Sequence, residues 1–137
     1  MKHKITEIVV RSFHLDLYRH VNNARYLEFL EEARWNYYHK VYTDEWLARE
    51  NIAFIIHNIN ITYRSPAVVG DTIVIHTSLK ELGNVKLTVY QKLVQKSNGK
   101  VIAEADVCFV AVDMNKNAPI RLKGKVRELL MLPELEE

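Results

Sequence analysis

The chain has 137 residues, enough for one domain with its own core. Its 48% hydrophobic content excludes a disordered chain, and 19 basic against 17 acidic residues, a net charge of +2, give no general pull toward nucleic acid. The single cysteine, Cys108, excludes an intrachain disulfide and a cysteine-rich metal site, and the six histidines show no clustered ligand spacing.

The opening Met1-Lys2-His3-Lys4-Ile5-Thr6-Glu7 lacks the apolar centre of a signal peptide. No apolar run nears the roughly 20 residues needed to span a bilayer. A cytoplasmic protein without membrane insertion is therefore expected. No repeat or Pro/Gly/Ser linker divides the sequence, so residues 1–137 are expected to form one domain.

Ile5 to Phe13 is short and β-branched and reads as a first strand. His14 to Asn23 is polar with aromatic interruptions and follows neither period. Asn22 and Asn23 suit a helix N-cap. After them Tyr26, Leu27, Leu30, Ala33, Tyr37, Tyr38 and Val41 recur at helical spacing, predicting one long helix to about Tyr42. A short helix is expected around Asp44 to Glu50.

From Ala53 the period becomes two, with Ile59, Ile61 and Tyr63 alternating against Asn58, Asn60 and Thr62. Ser65-Pro66 ends that strand and Gly70-Asp71 signals a turn. Strands follow over Thr72–Leu82, Lys86–Gln95 and Val101–Val112, joined at Gly83-Asn84 and Asn98-Gly99. Leu122 to Leu132 reads as a short terminal helix. One strand, one long helix and then four strands in an antiparallel meander predict an α+β architecture. A single sheet carrying one helix leaves edges that need cover, so a dimer continuing the sheet is expected.

The chemistry concentrates in Phe13 to Glu28, the loop before the long helix. Helix N-termini present unpaired N–H groups and partial positive charge. A carbonyl placed there is polarised, and an oxyanion made from it is stabilised. Asp16 in the same loop supplies a carboxylate able to attack a carbonyl or activate a water, without a metal. As an isolated residue Asp16 equally suits a turn. His20 either orients substrate or packs in the loop. One of Asn22 and Asn23 caps the helix, leaving the other available to substrate. Glu28, Glu31 and Glu32 read as a solvated helix face together with Arg25 and Arg34, Glu32 being the strongest rival carboxylate. Arg64, beside Tyr63 at a strand end, suits phosphate recognition. The basic stretch Lys116–Arg127 is either solvated surface or a contact for a phosphorylated ligand. The aromatic residues Tyr26, Phe29, Tyr37 and Tyr38 read as core, with Tyr26 next to the loop. Cys108 reads as inert strand packing.

His14-Leu15-Asp16, the run His20 to Trp35, Asn51-Ile52-Ala53-Phe54, Asn58 to Arg64 and Pro66-Ala67-Val68 together carry a resemblance. The sequence resembles the 4-hydroxybenzoyl-CoA thioesterase-like branch of the hotdog superfamily over nearly its whole length, loosening after about residue 80. The resemblance implies a hotdog fold and hydrolysis of fatty acyl-CoA, medium- to long-chain, to free acid and CoA. It implies no cofactor and a homodimer or homotetramer. It makes Asp16 the catalytic carboxylate. From the residues themselves His20, Asn22, Asn23, Tyr26 and Arg64 are expected toward substrate, the resemblance fixing no role for Arg64. Asn23 stands where many members of the family carry histidine, so a histidine-assisted step would fall to His20. Two rivals stay open: a hotdog hydratase or dehydratase acting on acyl thioesters, and a non-catalytic acyl-CoA-binding module.

Overall fold

The computed structural model describes residues 4–136. Its strands are β1 (Ile5–Val9), β2 (Ile52–Tyr63), β3 (Thr72–Leu82), β4 (Lys86–Gln95), β5 (Val101–Asp113) and the short β6 (Ala118–Pro119). Its helices are α1 (Asn23–Tyr37), α2 (His39–Tyr42), α3 (Glu45–Arg49) and α4 (Gly124–Leu135).

Asn22 starts α1 as expected. It holds an extended backbone, and its side chain accepts the Ala24 N–H. Tyr26, Phe29, Leu30, Ala33, Arg34 and Tyr37 then fall on one buried stripe at spacings of three and four. The helix stops short of the expected Tyr42. Tyr38 leaves helical geometry (φ −104°, ψ 24°), and α2 resumes as a single turn. Consecutive helical side chains point about 100° apart, and this break lets Tyr37 and Tyr38 both be buried. The first strand is also shorter than read. Val10 leaves the ladder to bond Asp71 and Gly70, and a 3-10 turn takes up Ser12–His14.

The expected four-strand meander is only partly present. β3, β4 and β5 follow one another, but β2 pairs with β5, and the order is β1-β3-β4-β5-β2. The reason lies in residues 64–71, which contain Pro66 and do not form a tight hairpin. They run past the start of α1, where Val21 donates to the Ala67 carbonyl at 2.9 Å. That crossing brings the end of β2 against the helix N-terminus.

The sheet curls around α1, with Ile75, Val89, Leu93, Val107 and Ala111 among its fully buried inner residues. This is the hotdog fold that the sequence suggested. α4 closes one end through Val126 and Leu130. The Tyr37 hydroxyl donates to the Glu134 carboxylate, joining α1 to α4.

Arg34 corrects the expected solvated helix face. It is 3% exposed, and its Nη1 donates to Gln91 Oε1 at 3.1 Å. Gln91, fully buried, donates onward to the Leu30 carbonyl and Thr77 Oγ1. The guanidinium lies 5.8 Å from the Phe109 ring centre. Glu31 and Glu32 are exposed, and Glu28 pairs with Arg25 at 2.9 Å.

Candidate active site

Residues 15–21 form a closed loop. Leu15 and Val21 make an isolated antiparallel bridge, and Asp16 N–H donates to the His20 carbonyl at 2.8 Å. Arg19 takes a left-handed backbone (φ 64°), which turns the chain back. Asp16 Oδ1 accepts the N–H groups of Tyr18 at 2.8 Å and His20 at 3.2 Å. Asp16 thus builds its own turn. Its Oδ2 has no hydrogen-bond partner among the described residues, and the side chain is half-buried.

This loop, the first turn of α1 and the end of β2 enclose an open cleft of about 380 Å³. Asp16, His20, Asn23, Tyr26 and Arg64 line it, with Val21, Tyr63, Ser65 and Pro66. Five of the six site residues read from sequence therefore meet in one place. Asn22 is not in the lining; it is spent on the helix cap.

Of the first three N–H groups of α1, one is open among the described residues. Ala24 N–H is taken by Asn22 Oδ1 at 3.0 Å and Arg25 N–H by the Asn22 carbonyl at 2.9 Å. Asn23 N–H has no partner among the described residues. It belongs to the peptide at the positive end of α1, where an oxygen carrying negative charge is best stabilised.

Tyr26 is 4% exposed. Its phenol is pushed up to about 12, first by burial and then by the neighbouring Tyr63, so it remains a neutral donor. Arg64 stands at the rim, its Nε donating to Glu104 at 2.5 Å. Glu104 also accepts the Tyr90 hydroxyl, and these two contacts hold its carboxyl below the usual range. Ser65 is structural here, since its hydroxyl donates to the Val101 carbonyl.

Tyr63 has a role that sequence alone does not give. Alternation sets it in a row with Ile59 and Ile61, yet its hydroxyl donates to the Asn23 carbonyl at 3.0 Å. Its ring lies 5.5 Å from that of Tyr26. The strand-end position before Ser65-Pro66 was the only sequence signal. His14, near the site, is structural: its Nδ1 accepts Arg11 N–H, and its ring meets Phe29 edge-on. Burial foremost, then Arg25, lowers its pKa and favours the neutral ring. Among the described residues no group of three or more His, Cys, Asp or Glu side chains is placed to hold a metal ion.

Comparison with known families decides the class of this arrangement. The profile of the thioesterase-like superfamily matches residues 10–130. The chain belongs to that superfamily. Within it, the chain is 44% identical over 125 residues to the long-chain acyl-CoA thioesterase FadM of Escherichia coli K12, covering 91% of this chain and 95% of FadM. It is 30% identical over 107 residues to the acyl-CoA thioester hydrolase YbgC of Escherichia coli O6:H1, covering 77% of this chain and 79% of YbgC. The crystal structure of YbaW, a probable thioesterase from Escherichia coli, superposes with a TM-score of 0.87 at 44% identity, over 93% of this chain and 96% of that one. This member of the superfamily is a thioester hydrolase.

Proposed function

We propose that the protein hydrolyses medium- to long-chain fatty acyl-CoA to free acid and CoA, with Asp16 as the essential carboxylate. One observation carries the reading: half-buried Asp16 and Asn23, whose N–H has no partner among the described residues, line the same cleft at the start of α1. The thioester carbonyl oxygen lies toward Asn23 N–H, where charge developing in the tetrahedral intermediate meets a fixed donor and the helix dipole. Asp16 carries the attack, either directly or through a water it deprotonates. Both routes require it ionised. Tyr26 and His20 border the reacting group, and Arg64 at the rim contacts the phosphorylated part of CoA. FadM and YbgC, by their names, act on acyl-CoA, which supports this substrate class.

The working unit in this reading is a homodimer, or a dimer of dimers, of a one-domain chain acting in the cytoplasm. Two features support a second copy. β2 is an edge strand of 12 residues that, among the described residues, pairs only with β5, with Ile55 and Ile56 exposed. Around the Asp16 loop, Phe13, Leu17 and Tyr18 are 68%, 87% and 75% exposed. Apolar side chains so exposed beside a site suit coverage by a partner.

The test is free-thiol release from acyl-CoAs of increasing chain length. Turnover rising toward the longer chains is expected. Binding without thiol release would sink the hydrolase reading, and water addition to an enoyl-CoA would favour the hydratase.

A further inference from the structure

The peptide following the Asn23 N–H is pinned at both ends. Its carbonyl, that of Asn23, accepts the Tyr63 hydroxyl at 3.0 Å, and its N–H, that of Ala24, donates to Asn22 Oδ1 at 3.0 Å. The peptide that bears the open N–H is fixed at its own carbonyl by Arg25 N–H. Asn22 and Arg25 are local to the helix start and would hold any capped helix. Tyr63 is not local. It is the last residue of β2, 40 positions along the chain, and it ties the sheet edge to the first helical residue.

We propose that Tyr63 is a positioning residue, its hydroxyl anchoring the Asn23 carbonyl so that the neighbouring Asn23 N–H stays aimed at the oxyanion. This rests on the hydrolase reading given above. A first helical turn is the part of a helix most free to fray, because its N–H groups have no intrahelical acceptors. A donor that shifts by a few tenths of an ångström still binds substrate but serves the transition state less well. The Tyr63 ring lies tilted at 51° to that of Tyr26, a ring contact that survives loss of the hydroxyl.

Tyr63→Phe isolates the anchor. It is expected to lower kcat roughly tenfold or more while KM for acyl-CoA stays within about twofold, as for a group acting on the transition state. Val107→Ala, a core truncation, is the control for stability alone, and the loss in Tyr63→Phe should exceed what an equal fall in Tm produces there. In a 1H–15N spectrum the Asn23 amide should be among the most displaced resonances. Unchanged kcat in an active preparation, a loss no greater than the core control gives, or an unmoved Asn23 resonance would each overturn the proposal. If the wild type releases no thiol from any acyl-CoA, the hydrolase reading fails by itself. The Asn23 resonance then still decides whether Tyr63 anchors that peptide.

Discussion

Replacing Gln91 by leucine keeps the side chain's bulk while deleting its polar end from the space between α1 and the sheet. The magnitude follows from three hydrogen bonds. The Leu30 carbonyl lies inside α1, where the helix ladder supplies a donor, so losing Gln91 Nε2 costs it little. Thr77 Oγ1, 3% exposed, loses a donor and is left to reorient, for about 1 kcal/mol. Arg34 dominates. The residue is 3% exposed, burial already lowers its pKa, and loss of Gln91 Oε1 leaves it to Tyr42, the charge of Glu31 and the Phe109 ring. Removing one partner from a buried charge costs about 2–3 kcal/mol even when part of its contacts remain. The sum is about 3–4 kcal/mol, or roughly 10 °C in Tm for a chain of this size. Urea and thermal denaturation of Gln91→Leu, Arg34→Met and the double variant form the cycle. The double variant, with no buried charge left to solvate, should be more stable than the sum of the single losses by at least about 1.5 kcal/mol. Additive losses, or a Gln91→Leu protein within about 1 kcal/mol of wild type, would refute the claim that Gln91 supports a buried cation here.

Two further outcomes are expected. Asn22→Ala removes the cap that takes Ala24 N–H and should lower stability by about 1 kcal/mol in urea denaturation; kcat should fall with it, since the uncapped first turn holds the Asn23 N–H less firmly toward the oxyanion. His14 has a folded-state pKa below its unfolded value, because burial, then Arg25, with Arg11 adding, outweighs Glu28. Its contribution is complete above pH about 6.5 and shrinks as pH falls toward the lowered folded value, because the unfolded chain takes the proton first. Tm of His14→Gln between pH 7.5 and 5.5 should therefore fall less steeply than that of the wild type; parallel slopes would contradict this.

Much of the molecule was legible because local rules govern it. Asn22 caps where an asparagine before an apolar stripe should, and Tyr26, Leu30, Ala33 and Tyr37 are buried at their helical spacing. The loop around Asp16 was legible from its mixture of residue types beside a helix start, and Asp16 does line a cleft with four other residues chosen from sequence. What failed to show was long-range. Alternation in β2 tells which face Ile59 and Ile61 take, but not that the strand lies beside β5. Arg34 read as solvated because its partners Gln91 and Phe109 come from strands far along the chain. The bond from Tyr63 to Asn23 likewise exists only because residues 64–71 cross the helix start.

Asp16→Asn tests the central claim most directly, measured as free-thiol release from a long-chain acyl-CoA beside the wild type. The asparagine's carbonyl oxygen can still accept the Tyr18 and His20 N–H groups, so the loop and the fold should persist, as circular dichroism and Tm would show. The account predicts a folded protein that still binds acyl-CoA and has lost at least about a thousandfold in kcat. A folded Asp16→Asn protein turning over at near wild-type rate would contradict it and move the chemistry to another residue of the cleft.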